Sequence, residues 1–356
     1  MERSTRLARL SLGGFRCFSS LEYEPGERLS FLTGPNARGK TSLLEAACVL
    51  LRLKSPRTSD LSELVRFGGG GFRIEGRLPS APEGWTRLSL AFTPPVRSLS
   101  IDGVAQSGTA DYLSVGRIVW FGSDDLRLVN GPAEGRRKLL DSAGLQISAS
   151  YGRDLRAYDR ALRSRNLLLR EGRPRREVEA YDRPLCEAGE RILAARESIV
   201  RNLAPMADHA CRGISGEPLE LVYRPGSSLP MIDSLRATRE EEIRVRMTRT
   251  GPQRDDVGIR LGGIDAGPFA SEGQRRTVAL ALKLALASLL SGEGGAPLLL
   301  LDDIFGELDP PRRDALLAGM PPGSQALVTT ADLGGIALPE GSVVHRFAGA
   351  GLERVR

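Results

Sequence analysis

The run Gly34-Pro35-Asn36-Ala37-Arg38-Gly39-Lys40-Thr41 fits the pattern G-x-x-x-x-G-K-[ST], and with its flanks it restricts the fold more than any other feature of the chain. Leu29-Ser30-Phe31-Leu32 reads as a short buried strand running into the loop. From Ser42 to Leu53, apolar residues recur at i, i+3 and i+4 (Leu43, Leu44, Ala47, Leu50), which predicts a helix leaving it. Strand, glycine loop and helix in that order make a phosphate-binding loop. Glycines let successive backbone N–H groups converge on phosphate oxygens, and the helix aims its positive end at the same point. Pro35, Asn36, Ala37 and Arg38 supply the backbone of that cradle. Lys40 brings a mobile charge to the β- and γ-phosphates, and the Thr41 hydroxyl can complete a Mg²⁺ shell.

A second stretch supplies what the loop lacks. Leu298-Leu299-Leu300-Leu301-Asp302-Asp303 reads as an apolar strand ending on two carboxylates. Asp302, at the carboxyl edge of a buried parallel strand, is expected to hold Mg²⁺ directly or through water. Asp303 is the expected base for an attacking water, provided that a turn follows the strand. Lys40 and Asp302 stand 262 positions apart (302 minus 40), so other structure separates the two halves of one site.

Between them, Ser271-Glu272-Gly273-Gln274 opens a long helix. Ser271 reads as its cap, the helix terminus favours an anion, and Gly273 allows a phosphate to approach closely. Standing alone, this would be a plain N-capped core helix. Together with the other two motifs it reads as the part of an ATP site that a second, head-to-tail copy presents to the γ-phosphate. Gly306-Glu307-Leu308-Asp309-Pro310 then forms a turn expected to carry Asp309 to the subunit boundary.

The four cysteines (Cys17, Cys48, Cys186, Cys211) are scattered, and the two histidines are His209 and His345, which excludes neither fold nor ATPase but argues against a structural zinc site and a Ser-His-Asp hydrolase. No apolar h-region follows the N-terminus. The most apolar run, Val278 to Leu290, is too short to span a bilayer and contains Lys283. A cytoplasmic protein with no membrane partner is the expectation. The net charge of +6, mostly arginine, permits a polyanionic partner without requiring one.

Residues 1–135 are expected to form the first part of an α/β ATPase domain, with strands from Leu7 to Leu32 and an antiparallel meander from Phe72 to Val119 turning at Asp102-Gly103. A helical insert follows over 136–215, interrupted at Gly172-Arg173-Pro174. The domain then resumes over 216–356, with strands from Leu219 up to the Ser271 helix and a last strand over Ala326–Thr330.

The Ser271 helix start, the paired aspartates and Glu307-Leu308-Asp309 resemble the ABC-type ATPases of DNA maintenance. Leu12-Gly13-Gly14-Phe15-Arg16, Asp125-Leu126-Arg127-Leu128-Val129, Gly131-Pro132, Arg136-Arg137, Leu140-Asp141 and Gly251-Pro252-Gln253-Arg254-Asp255-Asp256 narrow the resemblance, over the whole chain, to the RecF family of bacterial recombination mediators. The resemblance implies an ABC-type P-loop ATPase head with mixed sheets and an inserted α-helical lid. It implies an ATP- and Mg²⁺-dependent homodimer that binds gapped DNA or single-strand–duplex junctions. RecR and RecO would be its partners, with roles in recombinase loading, DNA repair, replication restart and the SOS response. Carried over by residue, Lys40 and Thr41 bind phosphate and metal, Asp302 binds metal and Asp303 is the base. Ser271, Gly273 and Gln274 form the trans signature, and Asp309 the dimer-facing turn. Gln253 departs from the family's usual His. The end of the Ala326 strand has no transporter-type His, which suggests slow hydrolysis.

For DNA contact the arginines of the insert are the candidates, among them Arg165, Arg170, Arg173, Arg175 and Arg176, in competition with a solvated helix face of i,i+4 pairs. Two relatives of the same core are alternatives. An ABC-headed nuclease should carry a further acidic metal module, and no D/E-rich cluster follows Asp332. An SMC-like tether needs far longer heptad stretches than this insert supplies.

Overall fold

In the computed structural model, which describes residues 4–80, 84–227, 230–292, 295–334, 338–348 and 351–356, the strand that feeds the glycine loop lies inside a six-stranded sheet. That sheet runs Gly351–Arg354, Val343–Ala348, Leu29–Thr33, Ala326–Thr329, Leu298–Leu301, Ile118–Phe121. Its pairs are parallel except for the terminal hairpin of the first two strands. Leu29–Thr33, Ala326–Thr329 and Leu298–Leu301 are buried at every residue. Continuous apolar runs without alternation are what a parallel strand covered on both faces requires.

A second six-stranded sheet is antiparallel, in the order Phe18–Tyr23, Arg9–Phe15, Phe72–Ser80, Gly84–Thr93, Val96–Ile101, Val104–Ala105. Asp102 and Gly103 both have positive φ (51° and 84°) and turn its last hairpin, as their types predict. The meander ends sooner than its expected limit at Val119. A short helix, Ala110–Ser114, intervenes, and Ile118–Phe121 joins the parallel sheet beside Leu298–Leu301. Helix Lys40–Arg52 is buried along almost its whole length, and its leucines share one apolar cluster with residues of both sheets. These elements belong to a compact unit formed by Met1–Asp125 and Leu280–Arg356.

Leu126–Ala279 forms the second unit. Its division from the first falls outside the expected insert limits of 136 and 215, because a three-stranded antiparallel sheet (Ile264–Asp265, Asp256–Leu261, Leu219–Arg224) clusters with the helices. The long helices are Ala133–Ile147, Ala149–Arg170 and Asp182–Ser215, the last carrying Pro205 inside it. Gly172, at φ 64°, ends the middle one. A further helix, Met231–Val245, stands where strands are expected from the sequence. Its buried positions Met231, Ser234, Leu235, Arg239 and Glu242 recur at three- and four-residue spacing, and Met231 and Leu235 join Tyr158, Leu185 and Ile192 in a small core. Among the described residues, no helix is long and apolar enough to cross a membrane.

Candidate nucleotide site

The glycine loop has the geometry its chemistry needs. Gly34 and Gly39 adopt φ values of 136° and 99°, where a side chain would be strained. A Cβ on Gly39 would also lie 2.5 Å from the Phe18 ring, so the start of the helix is held close against the Phe15–Phe18 turn. Ala37 takes φ 62° without being a glycine. Pro35, Asn36, Ala37 and Arg38 are exposed, whereas Lys40 is buried. Its ammonium donates to the carbonyls of Gly34 (2.6 Å) and Pro35 (3.1 Å), which centres the charge inside the loop.

Asp302 meets this loop across 261 positions of sequence, its Oδ1 accepting from the Thr41 hydroxyl at 2.7 Å. Thr329, on the neighbouring strand, donates to the same oxygen at 3.0 Å and accepts from the Asp303 backbone N–H at 2.9 Å. The Asp302 N–H donates to Phe121 O at 2.9 Å, so strands on both sides fix the carboxylate. Asp303 sits at φ 56°, in the left-handed region, immediately after the strand; the turn that would re-aim it is present. Burial pushes the Asp302 carboxyl above the usual aspartate range, and Asp303 adds to the rise. The hydroxyls of Thr41 and Thr329 and the charge of Arg57 oppose it. A desolvated carboxylate beside a threonine hydroxyl is an all-oxygen donor set suited to a hard cation, so the residues present fit Mg²⁺.

Three contributors escaped the sequence reading. Thr329 is one, although its place at the end of a buried parallel strand is a usable signal. The others are Arg16 and Arg57, which gather on the fully buried Glu45 of the P-loop helix. Arg16 donates to both Glu45 oxygens (2.9 and 2.8 Å), and Arg57 lies 3.6 Å away. The Arg16 of Leu12-Gly13-Gly14-Phe15-Arg16 thereby braces the helix that carries Lys40 and Thr41.

Ser271, Gly273 and Gln274 lie in the second unit. Ser271 Oγ accepts from the Gln274 N–H (3.2 Å), and the Gln274 side-chain oxygen accepts from the Ser271 N–H (2.9 Å): a reciprocal capping box. Gln274 also donates to Glu217 at 2.8 Å. Ser271 and Glu272 are exposed and Gly273 is half-buried, which leaves the helix end open to an anion. Asp309 is exposed and caps helix Pro310–Gly319 through the Arg312 N–H, at 3.1 Å.

The other motifs converge on a buried polar network of the second unit. Arg196 donates to Asp141 (2.7 Å), to Asp255 (2.8 Å) and to Pro252 O (2.7 Å). Asp255 also accepts from Tyr223 and from the Gly226 N–H, while Arg136 grips Asp256 with two bonds. Gln253, in place of an imidazole, accepts from the Tyr158 hydroxyl and donates to Thr250 O.

The arginine expectation needs one correction. Arg165 is fully buried, donating to Asp182 (3.0 Å), Thr248 (2.8 Å) and Glu242 (2.6 Å), and has no surface to offer DNA. It lies on the buried stripe Tyr151, Tyr158, Ala161, Leu169 of its helix. Arg170, Arg173, Arg175 and Arg176 are exposed, but Arg173 and Arg175 are paired to Glu177 and Glu179.

Residues 9–89 match the family described as AAA domain. The DNA replication and repair protein RecF of Symbiobacterium thermophilum is 38% identical over 96% of this chain and 95% of its own. The chain belongs to the RecF family. The protein of the same description from Myxococcus xanthus is 36% identical over 92% of this chain and 91% of its own. Among solved structures, that of the recombination mediator protein RecF with ATP superposes with a TM-score of 0.91 at 27% identity, covering 100% of this chain and 99% of that one. The Smc head domain of Pyrococcus furiosus reaches 0.58 at 15% identity over 99% and 96%, a likeness of fold alone. The fold is accordingly that of an ABC-type ATPase head, as the RecF-family resemblance implies.

Proposed function

We propose that the protein is an ATP-dependent, DNA-binding recombination mediator acting in replication and repair. The observation that carries this reading is the Thr41–Asp302 contact at 2.7 Å, which joins a phosphate loop and a metal-binding carboxylate from opposite ends of the chain. The RecF relatives are described as DNA replication and repair proteins, and the solved neighbour is a recombination mediator holding ATP. Lys40 and the loop backbone hold the phosphates, Thr41 and Asp302 hold Mg²⁺, and Asp303 orients the water. Mg²⁺, when bound, neutralises phosphate charge.

In this reading the capped end of the signature helix, Ser271 to Gln274, meets the γ-phosphate of a second copy, and Asp309 lies at the same boundary. ATP then acts as a clamp between two heads at gapped or junction DNA. Hydrolysis is slow, below roughly 10 s⁻¹, the median for enzymes. RecR and RecO are the partners proposed for recombinase loading, and SOS induction follows from the same step. The protein acts in the cytoplasm.

Sedimentation of the wild type, Lys40→Met and Ser271→Arg, with and without ATP·Mg²⁺ and a gapped duplex, tests the clamp. A wild-type dimer on ATP, with both variants monomeric and DNA retained by the dimer, is the expected result. A wild type that binds ATP and stays monomeric removes the basis of the trans site.

A further inference from the structure

Several exposed arginines of the second unit have a carboxylate partner three or four residues away. Arg173, Arg183, Arg201 and Arg212 are each paired at i,i+4 spacing. On helix Ala149–Arg170, the exposed Arg153, Arg156, Arg160, Arg163 and Arg170 have no ion pair among the described residues, and the first three of them share one groove. None of the three has a carboxylate four residues away in either direction, and the one acid at three-residue spacing is Asp159, three on from Arg156. Arg153 has Ala157 four residues on, and Arg156 has Arg160, a like-charged pair that costs helix stability. The three line an open groove of 660 Å³ together with Arg191 of the long helix Asp182–Ser215. The one acid in the groove is Asp154, already bonded to Arg191 at 2.8 Å. Three guanidinium groups therefore face one groove with their charge uncompensated.

We infer that this groove is a docking site for the phosphate backbone of double-stranded DNA, an assignment that rests on the DNA-binding reading above. The spacing suits such a ligand: Arg153, Arg156 and Arg160 span seven positions, or about 10.5 Å along the helix axis at 1.5 Å per residue. Duplex DNA presents phosphates of each strand about every 3.4 Å of its axis, so the row covers roughly three base pairs. Guanidinium groups bind phosphate oxygens in pairs, with fixed geometry. The rest of the lining is Ser150 and Ala157, with no aromatic ring on which an unpaired base could stack and no large apolar group to anchor a protein partner. Contact is to the backbone and independent of sequence.

The test is fluorescence anisotropy of a labelled duplex with the full-length protein and ATP·Mg²⁺, titrated at several salt concentrations. The triple variant Arg153→Gln/Arg156→Gln/Arg160→Gln removes three phosphate contacts. It should lower the slope of log affinity against log salt by about 2.7, or 0.9 for each contact. A control triple of carboxylate-paired arginines, Arg173→Gln/Arg183→Gln/Arg212→Gln, should leave the slope nearly unchanged. Nucleotide binding and thermal melting establish that each variant is folded. Should the triple fail to fold, Arg156→Gln alone, which also relieves the like-charge pair, should lower the slope by about 0.9. Wild-type affinity and slope in the groove variant would overturn the assignment while leaving DNA binding in place. Retained duplex binding with lost capture of a poly-glutamate peptide would assign the groove to an acidic protein instead. A wild type that binds no duplex at all sinks the DNA-binding reading itself and the groove with it.

Discussion

The two units bury different chemistry. The first hides mostly hydrocarbon: its cluster draws leucines and phenylalanines from two sheets and the P-loop helix, with Leu298, Leu300, Leu43 and Phe15 fully enclosed. The second also buries apolar side chains, around Tyr158 and Leu185 and at Ile199, Leu203, Leu219 and Ile259, but in addition encloses two arginine-centred networks, around Arg165 and around Arg196. Apolar burial is non-directional and tolerates small shifts, whereas a buried ion pair is stable only while every partner stays in place. The first unit is thus built for bulk stability beneath the nucleotide loop. The second holds helices and a small sheet in one register through directional bonds, and it carries the RecF-family motifs that are not part of the nucleotide site.

Breaking one network should show the contrast at its largest. Arg165→Leu leaves Glu242 buried without a cation and Asp182 with Arg239 alone, and should cost about 3–5 kcal/mol, with amide exchange accelerated across the second unit and not the first. Chemical denaturation with hydrogen exchange would measure it; a loss under about 1 kcal/mol would show that Arg239 on Asp182 and the Arg249 N–H on Glu242 suffice. Leu300→Ala, in the first unit, should cost about 3 kcal/mol through the cavity it leaves, and exchange should quicken in the parallel sheet. Asp309→Ala removes one helix cap and should cost about 1 kcal/mol by the same denaturation assay.

Acidity separates two aspartates, one from each unit, by sign. At Asp256, burial raises the carboxyl, but the bonds from Arg136 and the Val257 N–H outweigh it and hold it below the ordinary value of 3.8. Its stabilising contribution is complete above that value and is lost as pH falls through the lower, folded one. At Asp302 the folded value is raised, so its ionisation disfavours the folded state, and that cost disappears as pH drops below the raised value. Stability–pH curves of Asp256→Asn and Asp302→Asn, each subtracted from wild type, should therefore slope in opposite directions. Curves of the same sign would end the contrast. Smallest of all, Arg173→Ala and Arg175→Ala remove exposed pairs and should leave the denaturation midpoint unmoved.

Much of the nucleotide site was legible because its signals are local. The positive φ demanded by Gly34 and Gly39 and the leucine run before Asp302 each lie within about eight residues, and the Ser271–Gln274 capping box of the second unit is equally local. Where the reading went astray, the deciding partner was remote. Met231–Val245 does not read as a helix because its charged face masks a short buried stripe, Met231 and Leu235, whose partners Tyr158 and Leu185 are remote in sequence. Arg165 reads as surface by its charge although it continues the stripe of Tyr151, Tyr158 and Ala161. A charge at a core position reads as exposed until Glu242 and Asp182 are seen beside it.

By itself the sequence determined the glycine loop, the buried strands around it, the helix cap at Ser271 and the family, since each follows from backbone freedom, short-range periodicity or a motif written in order. Tertiary structure alone decided that Thr41 and Thr329 share Asp302, that Arg16 braces Glu45, and which arginines are enclosed. A periodic pattern shows that a face is covered and not by what. A desolvated charge is tolerable only through partners that the fold brings from elsewhere in the chain.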